Sequence, residues 1–132
     1  MNLKDIVCDF EYADRLSELG LGSYKSSLFF FDSTGRLVTA WHNVTIASYT
    51  NTYTVAELGE MLPKEIYHCN HRFDLLIKVR QSGRFDLAYY HNGCCQAPSV
   101  TKRLDKKEAN ARAKLLIWLI ENNHVNVEEL NK

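Results

Sequence analysis

Long apolar runs are missing from this chain of 132 residues; the longest, Leu115 to Ile120, has six. A helix that crosses a bilayer needs about 20, so no membrane partner is expected. Proline is scarce at two residues and glycine at six. With no linker, repeat or low-complexity tract, residues 1–132 read as a single domain. The scattered Gly20, Gly22 and Gly35 each suit a turn or cap, which excludes a glycine-rich phosphate loop. The four cysteines, Cys8, Cys69, Cys94 and Cys95, include no Cys-x-x-Cys pair, so the common zinc modules are absent too. Met1-Asn2-Leu3-Lys4-Asp5 has neither the basic start nor the apolar stretch of a secretory signal. The expected compartment is therefore the cytoplasm, where thiols stay reduced.

An excess of either charge is also absent, with 16 basic and 16 acidic residues. A nucleic-acid binder is usually basic. The balance is uneven along the chain, however. Residues 1–66 hold 5 basic and 9 acidic side chains, a net −4, and residues 67–132 hold 11 and 7, a net +4. Such a polar molecule can pair with itself or offer a basic face to an anion. Hydrophobic residues at 45% and charged residues at 24% are ordinary for a globular chain with its own core.

Periodicity then gives the elements. Phe10, Ala13, Leu16 and Leu19 recur at helical spacing from Asp9 to Leu19, with acids in the first turns and Gly20 and Gly22 after the end. Ser27–Phe31 and Arg36–Trp41 read as a hairpin about the turn Asp32–Gly35, and Val44–Tyr49 as a third strand. Thr54-Val55-Ala56-Glu57 is a capping box that opens a short helix closed by Pro63. Ile66–Cys69 is a short strand. Arg72–Arg80 and Arg84–His91 alternate across the turn Gln81-Ser82-Gly83, with Phe73, Leu75, Ile77 and Val79 on the inner face of the first. A loop containing Pro98 follows. Asp105-Lys106-Lys107-Glu108 reads as a second capping box, opening a long helix with a core stripe of Ala109, Ala113, Leu116, Ile117 and Ile120. Asn126–Glu129 begins one more turn. The class expected is α+β: a largely antiparallel sheet of about five to six strands, with an N-terminal helix, a short middle helix and a long C-terminal helix packed on it.

Three constellations bear on chemistry. Cys69 and His71 are two apart, and His91 and Cys94 end a later strand. Four such donors are what zinc takes, and a thiol beside an imidazole is the raw material of a nucleophile pair. Without the spacing of a known module, no metal or other cofactor and no catalytic residue is assigned. Lys102, Arg103, Lys106, Lys107, Arg112 and Lys114 form a basic cluster. From Lys106 to about Leu116 it resembles the closing part of a double-stranded RNA-binding domain, which implies lysines gripping phosphates. Finally, Trp41, Tyr53, Tyr90 and His91, with Lys102 and Arg103, supply stacking and charge for a ligand or partner. Leu115, Trp118 and Leu119 widen the last helix's apolar stripe beyond one sheet face, which predicts a homodimer through that helix.

Tyr53–Pro63 and Glu108–Asn122 resemble segments of small proteins encoded by bacteriophages and prophages, notably of gut Bacteroidota. That group carries no established activity. The resemblance implies an accessory gene product acting inside a bacterial host, by blocking a host protein or sequestering a small anionic ligand such as a nucleotide. The functional expectation is a binding protein, leaning away from an enzyme. A nucleic-acid-binding domain and a zinc- or thiol-dependent enzyme are the alternatives.

Overall fold

The computed structural model describes residues 3–21, 29–32, 35–39, 50–68, 70–91 and 100–131. After a 3-10 turn at Leu3–Asp5 the order is α1 (Phe10–Glu18), β1 (Phe29–Phe31), β2 (Leu37–Thr39), β3 (Thr50–Thr52), α2 (Val55–Met61), β4 (Glu65–His68), β5 (His71–Val79), β6 (Phe85–His91), β7 (Val100–Asp105), α3 (Glu108–Glu121) and α4 (Val127–Leu130). The class is α+β, and every described strand pair is antiparallel. The strands divide between two sheets, however: three in the order β2-β1-β3, and four in the order β4-β5-β6-β7. This corrects the expectation of one sheet of five to six strands. Alternation tells which face of a strand is buried, not which strand lies beside it.

Local chemistry accounts for much of this. The Asp32 carboxylate accepts from the Arg36 N–H at 2.9 Å, and Gly35 takes φ +81°. That is the left-handed position a tight hairpin turn needs and glycine reaches without strain. The capping box at Thr54 forms as expected: the Glu57 N–H donates to the Thr54 hydroxyl at 3.2 Å and the Thr54 N–H to the Glu57 carboxylate at 3.0 Å. The box expected at Asp105–Glu108 does not form. Asp105 ends β7 instead, its carboxylate accepting from the Lys107 N–H at 2.9 Å, and α3 begins at Glu108 with no side-chain cap. The segment Val100–Asp105, read as part of a loop, is a strand paired with β6. Val44–Tyr49 lies outside the described residues.

The core forms around α3. That helix contacts β6 and β7 on one side, and α1 and α2 also pack against it. Ala109, Asn110, Ala111, Ala113, Leu115, Leu116, Leu119 and Ile120 are buried. A helix covered on most sides is apolar on most sides, which explains the broad stripe. Leu115 and Leu119 are each 0% exposed. This corrects their assignment to a dimer interface, because their surface is consumed inside one chain. Ile117, expected in the core stripe, is half-buried. Beyond Asp74, β5 has no β4 partner, and its inner face opens to solvent: Phe73 is buried, whereas Val79 is 67% exposed.

The N-terminal segment locks the layers together. Val7 bridges Thr54, the Cys8 N–H donates to the Tyr53 carbonyl at 3.1 Å, and the Val55 N–H donates to the Ile6 carbonyl at 2.9 Å. Thr52 donates its hydroxyl to the Cys8 carbonyl at 2.9 Å. Burial pushes the Cys8 thiol above its ordinary range. Among the described residues, no helix is long and apolar enough to cross a membrane.

Candidate functional site

The start of α1 and the β1–β2 hairpin face each other across a pocket of about 410 Å³, lined by Lys4, Val7, Asp9, Phe10, Phe31, Gly35, Arg36, Leu37 and Lys107. Its size falls within the usual range for small-molecule sites. One wall is aromatic: Phe10 and Phe31 meet edge to face, ring centres 5.6 Å apart. Phe31 is nearly buried, but Phe10 is 41% exposed. The helix periodicity put Phe10 in the core; it instead stands at the pocket, one residue after the α1 N-cap.

The charges are arranged around that cap. The Asp9 side chain does not cap its own helix. Lys107 Nζ donates to its carboxylate at 2.6 Å and Asn110 Nδ2 at 2.8 Å. Partial burial works to raise the Asp9 pKa, yet the hydrogen bonds from Lys107 and Asn110 and the lysine's charge outweigh it and hold it below the ordinary carboxylate value. Lys107 is thereby compensated. Lys4 and Arg36 are exposed and, among the described residues, form no ion pair. The N-terminus of α1, the positive end of its dipole, points the same way. The pocket therefore has a surplus of positive charge beside an exposed phenyl ring.

The residues expected from sequence to form a contact surface do not gather. Tyr53 is 1% exposed, in the strip that joins the N-terminal segment to α2, and has no surface to offer; this corrects its assignment to a binding site. Tyr90 and His91 end β6. Tyr90 is half-buried with Lys78 Nζ 5.3 Å from its ring centre, and His91 turns toward β5. Lys102 and Arg103 belong to β7, with only their backbone described. Trp41, Cys69 and Cys94 lie outside the described residues. Of the three residues expected at a dimer interface, only Trp118 stays half-buried, its ring stacked on His124 at 5.2 Å.

Three of the six members of the basic cluster are spent on internal pairs. Lys107 holds Asp9, Arg112 Nη2 holds Glu108 at 2.8 Å, and Lys114 holds Asp105 at 2.8 Å. Lysines held by their own carboxylates are poor phosphate grips, which weighs against the likeness to an RNA-binding domain.

The chain matches no protein-family model, no curated protein and no solved structure. Its chemistry must be argued from its own residues.

Sequence reasoning missed Lys4, Arg36, Phe10 and Phe31 as a group. They come from the N-terminal turn, the hairpin and the first helix turn, and Lys107 joins them from the far end of the chain. No local spacing encodes that convergence.

Proposed function

We propose that this protein is a non-enzymatic binding protein that takes a small anionic ligand of the nucleotide class between α1 and the β1–β2 hairpin. One observation carries the reading: two exposed cations that form no ion pair among the described residues, Lys4 and Arg36, share a pocket with the partly exposed ring of Phe10. Phosphate would lie against Arg36, whose planar fork binds it bidentately, and against the α1 N-terminus. A base would rest on the Phe10–Phe31 wall. Asp9, already held by Lys107 and Asn110, would keep the pocket from collapsing onto its own cations. The resemblance to phage and prophage accessory proteins supports a setting inside a bacterial host, where sequestering a signal nucleotide is a use for binding without turnover.

Calorimetry at low salt with nucleoside mono- and triphosphates and cyclic dinucleotides tests the reading. Binding should weaken about tenfold or more in Arg36→Ala, the loss of one charge-assisted hydrogen bond of about 1.5–3 kcal/mol. Absence of binding by every nucleotide at millimolar concentration, or equal binding by Arg36→Ala and Lys4→Ala, refutes it.

A further inference from the structure

We propose that His71 and His91 form a binding site for a divalent ion of the zinc class at the end of the four-stranded sheet, away from the α1 pocket. In the β5–β6 ladder Phe73 pairs with His91, so His71, two residues earlier on the same face, lies diagonally beside it. The two ring centres are 4.8 Å apart, with planes at 61°. Two imidazoles on one tetrahedral zinc, at a bond length of about 2.0–2.1 Å, put their ring centres about 5 Å apart. The ring spacing therefore matches that of two imidazoles on one ion.

The His91 ring is also oriented as a ligand is. Its Nδ1 lies 2.9 Å from the carbonyl oxygen of Arg72. A carbonyl only accepts, so Nδ1 carries a proton, and in the neutral ring the lone pair lies on Nε2. This is the outer-shell bond that sets the tautomer of metal-bound histidines. Phe73 flanks the ring at 5.4 Å and limits its rotation. His71 is exposed and His91 half-buried, so an ion has access. The cation next to the pair is directed elsewhere: Arg72 projects from the opposite strand face, with Nε 2.7 Å from Glu65 and 3.1 Å from Asp74. Imidazole nitrogens as donors favour zinc over magnesium or calcium.

The test is a cobalt(II) titration of the untagged, reduced, full-length protein, followed by zinc competition. One equivalent should bind, with a change in the cobalt visible spectrum, and be displaced by zinc. His71→Ala and His91→Ala should each weaken binding about tenfold or more while leaving the metal-free thermal midpoint within a degree or two of the parent. That last readout separates loss of a ligand from loss of fold. No stoichiometric binding, or binding that survives both single substitutions, overturns the site.

Discussion

Asn110, buried in the first turn of α3, grips Asp9 with both ends of its amide. Nδ2 donates to the carboxylate at 2.8 Å, and Oδ1 accepts from the Asp9 backbone N–H at 2.8 Å. One side chain thus ties the start of the first helix to the start of the last long one, 101 residues apart. Asn110 itself is only 4% exposed, whereas the Asp9 side chain is half exposed and can turn to water. Asn110→Ala should cost about 2–3 kcal/mol, from one neutral and one charge-assisted bond. Asn110→Asp should cost more at neutral pH, because it sets a second carboxylate against Asp9. Urea unfolding of the three proteins gives the order; an Asn110→Ala loss below about 0.5 kcal/mol would refute it.

Asp9 and Asp105 share an acid-sensitive window. At both, partial burial works to raise the pKa but is outweighed: at Asp9 by Lys107 and Asn110, and at Asp105 by Lys114 and the Lys107 N–H. Each ends below the ordinary value of 3.8. A depressed folded pKa contributes stability in full above the unfolded value and loses it as pH falls through the folded one. These two groups should therefore leave stability level from pH 7 to about 5 and erode it below about 4. The double variant Asp9→Asn, Asp105→Asn should be less stable at pH 7 and lose less on acidification. An acid limb as steep as the parent's would show that other carboxylates govern it.

Where sequence and structure agree, the signal is local. The Thr54–Glu57 box and the hairpin turn at Asp32–Gly35 each depend on residues within a few positions of one another; the alternation read in β5 and β6 does not carry over, because Asp86 to Tyr89 are all buried and Ile77 and Val79 are exposed. Where they part, the cause is distant. Val-Thr-Lys-Arg-Leu-Asp at 100–105 has two apolar residues and reads as a basic loop; pairing with β6 makes it a strand. Leu115 and Leu119 looked surplus to one sheet face because α1 and α2, which cover α3 along with the sheet, are far off in sequence. The α1 pocket was illegible for the same reason. The His71–His91 juxtaposition was partly legible, because each sits at or beside a strand that was plain in the sequence, but the register that makes them neighbours was not.

Tyr89 anchors β6 to the segment between α2 and β4. Its ring is 0% exposed and its hydroxyl donates to the Pro63 carbonyl at 2.8 Å. Burial pushes the phenol well above its ordinary range, so it remains a donor throughout the accessible pH range. Tyr89→Phe keeps the ring and leaves the Pro63 carbonyl without this donor. It should cost about 1 kcal/mol, with no change in fold by circular dichroism. Tyr89→Ala adds a cavity and should cost about 3–5 kcal/mol. Equal losses in the two variants would mean the hydroxyl, not the ring, carries the effect.

Gly59 sits in the interior of α2, where glycine costs about 1 kcal/mol relative to alanine. Its φ is not positive, so the backbone accepts a side chain. Space is the obstacle: a Cβ there would collide with the Arg112 guanidinium, which reaches over from α3 while its Nε donates to Glu108 at 2.9 Å. Gly59→Ala alone should thus gain less than about 1 kcal/mol, or nothing, because the helix gain is offset by displacing Arg112 from its carboxylate. In an Arg112→Ala background the collision is gone, and the same substitution should stabilise by the full amount. A double-mutant cycle should then give a coupling of at least about 0.5 kcal/mol between positions 59 and 112. Additive effects would mean that Arg112 swings aside freely and that the α2–α3 contact does not depend on the missing side chain.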